Sequence, residues 1–234
     1  MLGPPCRAPG WYAPRREEPA EGERAINEDE DRLGPQSAPG AGGSALDREE
    51  LRRLLRGTCP PADSSASSHW RGVPAAVLIG LLGHPEGPSI ILTQRTADLV
   101  NHPAEISLPG GRVEADDDGP GAAALREAFE EIGLPPEKVE ILGCLPPSET
   151  ISGFWVYPVV GWVDPPVQFE PDGREVAEVF EVPLSFVVDP TNHHRGSVVY
   201  RGERHQFHVL PYPGRRIWGA TAGILVDLAR TIVR

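Results

Sequence analysis

Two apolar runs constrain what this chain can fold into more than any other feature. "GVPAAVLIGLLG" (72–83) and "SIILTQR" (89–95) stand on either side of the turn-forming "HPEGP". Apolar runs of this kind around a Pro/Gly break read as a pair of strands. The longer run is too short to cross a bilayer. Strand patterns recur downstream in "KVEILGCL" and in "GFWVYPVVGWV", the latter rich in β-branched and aromatic residues. "EVAEVFEVPLSFVVD" reads as a strand running into a helical turn at Pro183, and "SVVYR" with "HQFHVL" reads as a hairpin around "GE". Three helices are expected. "SALDREELRRLLRG" places Leu46, Leu51, Leu54 and Leu55 on one face, with Ser44 as cap and Gly57 as stop. "AAALREAFEEIG" and "GATAGILVDLARTIVR" are the others, and "TADLVNHPAEISLPGG" is a loop with a short strand near Ile106. Strands interleave with few helices, without regular βαβ alternation or a repeat. The expectation is an α+β fold, a mixed β-sheet between helices in an α/β/α sandwich.

The first 43 residues do not share this patterning. They are rich in Pro, Gly and Glu, carry "NEDEDR", and end near "SAPGAGGS". Few apolar residues recur there, so the segment cannot offset its ordering entropy. Residues 1–43 are expected to be a disordered acidic tail and residues 44–234 one domain. The net charge of −12, from 22 basic and 34 acidic residues, argues against non-specific nucleic-acid binding and against attraction to an anionic membrane surface. A phosphorylated small molecule needs only a local cationic pocket, so a small nucleotide partner stays open, as does a homodimer. Three cysteines (Cys6, Cys59 and Cys144), none in a CxxC pair, point to no disulfide framework and no zinc site. The N-terminus lacks an apolar signal core, and a cytoplasmic location is expected.

"GGRVEADDDGPGAAALREAFEEIGL" (110–134) raises the chemical question. At about 100° per residue, Leu125, Ala128, Phe129 and Ile132 form one stripe, and Glu127, Glu130 and Glu131 fall on roughly the opposite side. One reading is an amphipathic helix with a solvated acidic face, stopped at Gly133. A solvated face usually mixes signs, however, and like charges three and four apart destabilise a helix. The preceding loop adds Glu114, Asp116, Asp117 and Asp118, with only Arg126 as a nearby cation. Such crowding asks for a cation to gather it, and oxygen-only ligands suit Mg²⁺ or Mn²⁺.

"REAFEEIGL" resembles the core of the Nudix box, G-x5-E-x7-R-E-U-x-E-E-x-G-U, where U is a bulky apolar residue. Arg126, Glu127, Glu130, Glu131, Gly133 and Leu134 match, with Ala128 small at a U position. The amino half departs. Strict spacing puts Arg112 at the box glycine and Asp118 at its first glutamate, so Gly110 and Gly111 come too early and the loop is longer. "ILTQRTADLVNHPAEISLPGG" (91–111) further resembles the segment before the box in the coenzyme A pyrophosphatase branch, roughly LLTxRSxxLxxHxGxxxFPGG, with Thr96, Ala104 and Leu108 as departures.

The resemblance implies a Nudix-type α/β/α sandwich and metal-dependent hydrolysis of a nucleoside diphosphate derivative. For coenzyme A the products would be phosphopantetheine and adenosine 3′,5′-bisphosphate. It implies that Glu127, Glu130 and Glu131 hold Mg²⁺ or Mn²⁺, and that Arg126 pairs with a carboxylate to brace the loop. Arg95, at a strand end, offers guanidinium to phosphate. His102, Gly110 and Gly111 join it as candidate substrate-binding residues. Glu178 and Glu149 are candidate general bases outside the helix. Trp155, Tyr157 and Trp162 read as sheet core or as a surface for adenine; His193 and His194 as loop residues. Two alternatives stay open: a Nudix pyrophosphatase for another substrate such as ADP-ribose, and a Nudix module that binds a nucleotide without cleaving it.

Overall fold

The computed structural model describes residues 46–55, 59, 72–97, 104–200 and 202–233. The tail expected over residues 1–43, the Ser44 cap, the Gly57 stop and His102 lie outside these. In chain order the elements are α1 (Arg48–Leu54), β1 (Val73–His84), β2 (Gly87–Arg95), β3 (Ile106–Ser107), β4 (Gly110–Arg112), α2 (Pro120–Ile132), β5 (Val139–Cys144), β6 (Ser148–Glu149), β7 (Phe154–Val163), β8 (Val176–Pro183), α3 (Leu184–Val188), β9 (His194–Tyr200), β10 (Glu203–Tyr212), β11 (Arg215–Trp218) and α4 (Gly219–Ile232). The short strands β4, β6 and β11 were not legible, being too brief to show a period.

The main sheet has eight strands in the order β3-β2-β1-β7-β5, with β4 on β1, β6 on β7 and β8 on β2. It is mixed: β1 and β7 run parallel from Val73↔Phe154 to Leu82↔Val163, while β1 and β2 form the antiparallel hairpin. The continuous apolar runs have a simple cause. Successive side chains point to opposite faces, and both faces of this sheet are covered. On β1, Ala75, Val77, Ile79 and Leu81 enter one cluster with Leu51 of α1, Phe186 of α3 and Leu225 of α4. Ala76, Leu78 and Leu82 enter the other, with Ala123, Ala124, Ala128 and Ile132 of α2. A separate three-stranded sheet, β11-β10-β9, adds Leu210 and Ile217 to the first cluster. The result is a helix–sheet–helix sandwich.

Three expectations change. Helix α1 is capped by Asp47, whose carboxylate accepts the Glu50 N–H at 2.8 Å; Leu51 and Leu55 are buried but Leu54 is exposed. On α2, Phe129 is 53% exposed rather than core. Finally, Cys59 and Cys144 form a disulfide, their Cα atoms 5.0 Å apart and 85 residues apart in sequence. Both pack against the α2-side cluster, a proximity that only the tertiary fold creates. Such bonds are rare in the mesophilic cytosol, so the crosslink does not support the cytoplasmic expectation. Among the described residues no helix is long and apolar enough to cross a membrane.

Candidate active site

The buried stripe of α2 is Pro120, Ala123, Ala124, Glu127, Ala128, Glu131 and Ile132. That is the i, i+3, i+4 pattern of a core-facing helix, but two of its positions are glutamates. Glu127 is 2% exposed and Glu131 7%. Two of the three glutamates of the acidic face are therefore not solvated. Three alanines in the stripe let the helix sit close on the sheet, and β4 lies under the two carboxyls. A Cβ at Gly111 would land on the Glu127 carboxyl, and one at Gly110 would land on the Ala76 carbonyl. The Gly110 N–H donates to Glu131 Oε2 at 3.2 Å. Gly111 thus leaves room for the Glu127 carboxyl, while Gly110 lets β4 lie close against β1. Gly119 and Pro120 start the helix, and left-handed Gly133 ends it.

Arg126 ties the helix to the loop. Its Nε and Nη2 donate to the two oxygens of Asp117 at 3.0 and 2.9 Å, Nη2 donates to the Arg112 carbonyl at 3.0 Å, and Nη1 to Glu127 Oε1 at 3.0 Å. Burial pulls the Asp117 carboxyl up, but the Arg126 hydrogen bonds, the Glu114 N–H and the guanidinium charge together hold it below the ordinary range. The remaining acidic loop residues, Glu114, Asp116 and Asp118, are exposed. Glu130 is also outside the core, 53% exposed and 3.5 Å from Arg126 Nη1.

The positive charge near the two buried glutamates does not offset their burial. Burial raises the Glu127 carboxyl, and Arg126 offsets this only in part. Burial pushes Glu131 up to about 8; Glu127 and Glu175 add to the rise, while the Gly110 N–H and Arg95 oppose it. Glu127 Oε2 is buried with no hydrogen-bond partner. An uncompensated buried carboxylate is costly, and a divalent cation would remove the cost. The donors are all oxygen, the set Mg²⁺ and Mn²⁺ prefer. Among the described residues no three acidic, His or Cys side chains stand together as a ready-made cage. Mg²⁺ does not need one, because it usually keeps waters and takes one or two carboxylates plus substrate phosphates. The residues present fit such an ion.

Arg95, whose charge acts on Glu131, lies 3.9 Å from Glu175. Glu175 was not singled out from the sequence; it follows the Asp172-Gly173 turn before β8, in which Asp172 Oδ1 accepts the N–H groups of Arg174, Glu175 and Val176. Glu178 pairs with Arg215 at 2.7 Å, and Glu149 lies exposed on β6 against Trp155 of β7. No hydrogen bond or ion pair among the described residues joins either to Glu127 or Glu131. Trp155 and Trp162 are buried and Tyr157 half-buried, as sheet core.

The NUDIX domain family model matches residues 73–201 of the chain. Among similar curated proteins, an uncharacterized Nudix hydrolase, NudL, of Enterobacter sp. is 43% identical over 158 residues, 68% of this chain and 82% of that protein. NudL of Cronobacter sakazakii is 41% identical over 188 residues, 80% of this chain and 94% of that protein. Among solved structures, the M. smegmatis Nudix hydrolase RenU matches with a TM-score of 0.43 at 26% identity, covering 56% of this chain and 83% of that one.

Proposed function

The chain belongs to the Nudix hydrolase family, and on that premise we propose that it cleaves the diphosphate of coenzyme A or an acyl ester of it. The products would be the phosphopantetheine moiety and adenosine 3′,5′-bisphosphate. The observation that carries a hydrolytic reading is the buried Glu127–Glu131 pair over Gly110 and Gly111, with Glu127 Oε2 uncommitted. A module that only bound nucleotides would not require the full acidic set of Glu127, Glu130 and Glu131. The coenzyme A assignment is supported by the 91–111 segment.

Glu127 and Glu131 would hold Mg²⁺ or Mn²⁺, with Glu130 reaching in from the exposed side directly or through water. A bound divalent ion supplies charge neutralisation at the diphosphate and a more acidic water. The chain's own residues do the positioning. Arg126 touches no substrate; it fixes Glu127 Oε1 and holds the acidic loop through Asp117. The glycines keep the floor of the site free of side chains. Arg95 presents a guanidinium that matches phosphate oxygens.

The test is turnover with Mg²⁺ and with Mn²⁺ over coenzyme A, its acyl esters, ADP-ribose and NADH. Coenzyme A or an acyl ester should be cut fastest, and nothing should be cut in chelator. ADP-ribose turned over far faster would remove the substrate assignment and leave the family standing. Mn²⁺ binding without turnover of any of them would favour the binding module.

A further inference from the structure

The small sheet β11-β10-β9 differs in charge from the rest of the molecule. Residues 193–218 hold five arginines and four histidines against one carboxylate, Glu203, in a chain whose net charge is −12. The antiparallel register sets His208 opposite Arg195 and Arg204 opposite Val199, so these side chains share one face. Leu210 and Ile217, further along that face, join the cluster that holds α4. Beyond them the face meets solvent: Arg195 and Arg204 are exposed, and Val199 is 51% exposed. Arg230, in the last turn of α4, continues the basic row.

The charge of this row is not neutralised within the domain. Arg195 donates to the Gln206 side-chain oxygen at 3.3 Å, and among the described residues neither Arg195 nor Arg204 has a carboxylate partner. Arg230 pairs with Asp227 at 3.0 Å, but both are largely exposed, where such pairs are weak. Burial, with the charges of Arg230, Arg195 and His193, holds the His208 ring below its ordinary range, and Asp227 opposes this. His208 Nδ1 is buried without a hydrogen-bond partner.

An acidic counterpart stands in the same chain. Residues 17–31 hold eight carboxylates against one arginine, and Glu28, Asp29, Glu30 and Asp31 are consecutive. Four extended residues span about 10 Å, comparable with the roughly 13 Å from Arg204 to His208 along β10. The chain enters the described domain at Leu46, which packs against the same cluster as α4, and α1 touches α4. The residues between, 32–45, are mostly Gly, Pro, Ala and Ser. A linker of that length and composition spans about 20 Å root-mean-square and about 45 Å at full extension. Tethering holds the acidic run at about millimolar local concentration.

We propose that the acidic run 28–31 docks in cis along Arg204, Arg195, His208 and Arg230, so that the chain's own N-terminal segment covers the basic small sheet. A second copy is a poorer occupant, because it would set basic faces against each other. The contacts are individually weak and screened by salt, so the docking depends on charge and tether together. It is independent of the metal and substrate reading above.

The experiment is paramagnetic relaxation enhancement on the full nitrogen-15-labelled chain with the Cys59–Cys144 bond intact. A nitroxide is attached at Gln36→Cys in a Cys6→Ser background, where it is the single free thiol. At low salt it should broaden the amides of β9, β10 and the end of α4. Neutralising the run (Glu28→Gln, Asp29→Asn, Glu30→Gln, Asp31→Asn) should abolish that broadening and leave only the broadening around α1, where the chain enters. About 1 M salt, with a Debye length of about 3 Å, should do the same. Arg195→Glu with Arg204→Glu should also abolish it. Combining those two with Glu28→Lys, Asp29→Lys, Glu30→Lys and Asp31→Lys should restore it. Broadening of β9 and β10 that is absent in wild type, or that survives neutralisation of the run, overturns the proposal. If the doubly substituted sheet does not fold, the neutralised run decides, because residues 28–31 lie outside the described domain. Signals of β9 and β10 that move with added oligouridylate but not with neutralisation of the run would assign the sheet to an external polyanion and overturn the proposal as well.

Discussion

Glu131→Gln tests the burial of the acidic pair without relying on turnover. In chelator, the Glu131 carboxyl is raised from 4.5 to about 8, chiefly by burial. The folded state therefore keeps a proton that the unfolded chain gives up. The associated stability is present below the unfolded value and is lost as pH rises towards 8. At about 1.4 kcal/mol per pKa unit, integration gives a loss of roughly 3 kcal/mol between pH 5 and pH 8. Glutamine does not titrate, and its carbonyl can accept the Gly110 N–H in place of Glu131 Oε2. For a domain of this size a kcal/mol is worth about 2–4 °C. Metal-free Glu131→Gln should thus melt several degrees above metal-free wild type at pH 8, and the gap should close towards pH 5. Mn²⁺ should reverse the order at pH 8, because stabilisation follows binding to the native state and the variant has lost a proposed ligand. Melts of both proteins in chelator and in Mn²⁺, at the two pH values, provide the readings. A wild-type-to-variant difference in chelator that does not move between pH 5 and pH 8 would refute the reasoning, since a solvated glutamate has no such dependence.

Gly111→Ala should drive a methyl into the Glu127 carboxyl, lowering stability by about 1–3 kcal/mol and weakening Mn²⁺ binding; an unchanged melt and Mn²⁺ affinity would contradict the close approach. Ala104 has φ of 58°, a left-handed conformation that costs a residue with a Cβ about 1 kcal/mol, so Ala104→Gly should raise the melting temperature by a few degrees. A fall would show that the loop gains more from alanine in the unfolded chain than it loses here. The Cys59–Cys144 bond closes a separation of 85 residues, so a thiol reductant should destabilise wild type by about 2–4 kcal/mol and leave Cys59→Ser unaffected; equal response of both would argue against the crosslink.

What the sequence revealed, and what it hid, divides by the range of the interactions involved. The strands β1, β2 and β7 were legible because burial on both faces leaves continuous apolar runs, a local signature of a non-local fact. The helix α2 was legible in extent but not in phase. Periodicity weighs apolar bulk, so it chose the stripe of Leu125, Ala128, Phe129 and Ile132. The true stripe runs through Ala123, Ala124, Glu127, Ala128 and Glu131, one step around the helix. The small residues held the clue: alanines admit close approach to a sheet, and a bulky Phe129 at the contact would have held the helix off. Burial of two carboxylates inverts the rule that apolar faces point inward, so the pattern fails at the proposed metal site. The same reasoning explains why Glu175 was passed over and Glu178 preferred. One residue-type looks like another on a strand edge until the β2–β8 register sets Arg95 against Val176. That register brings the neighbouring Glu175 into the field of Glu131, while Glu178, further along β8, meets Arg215 instead.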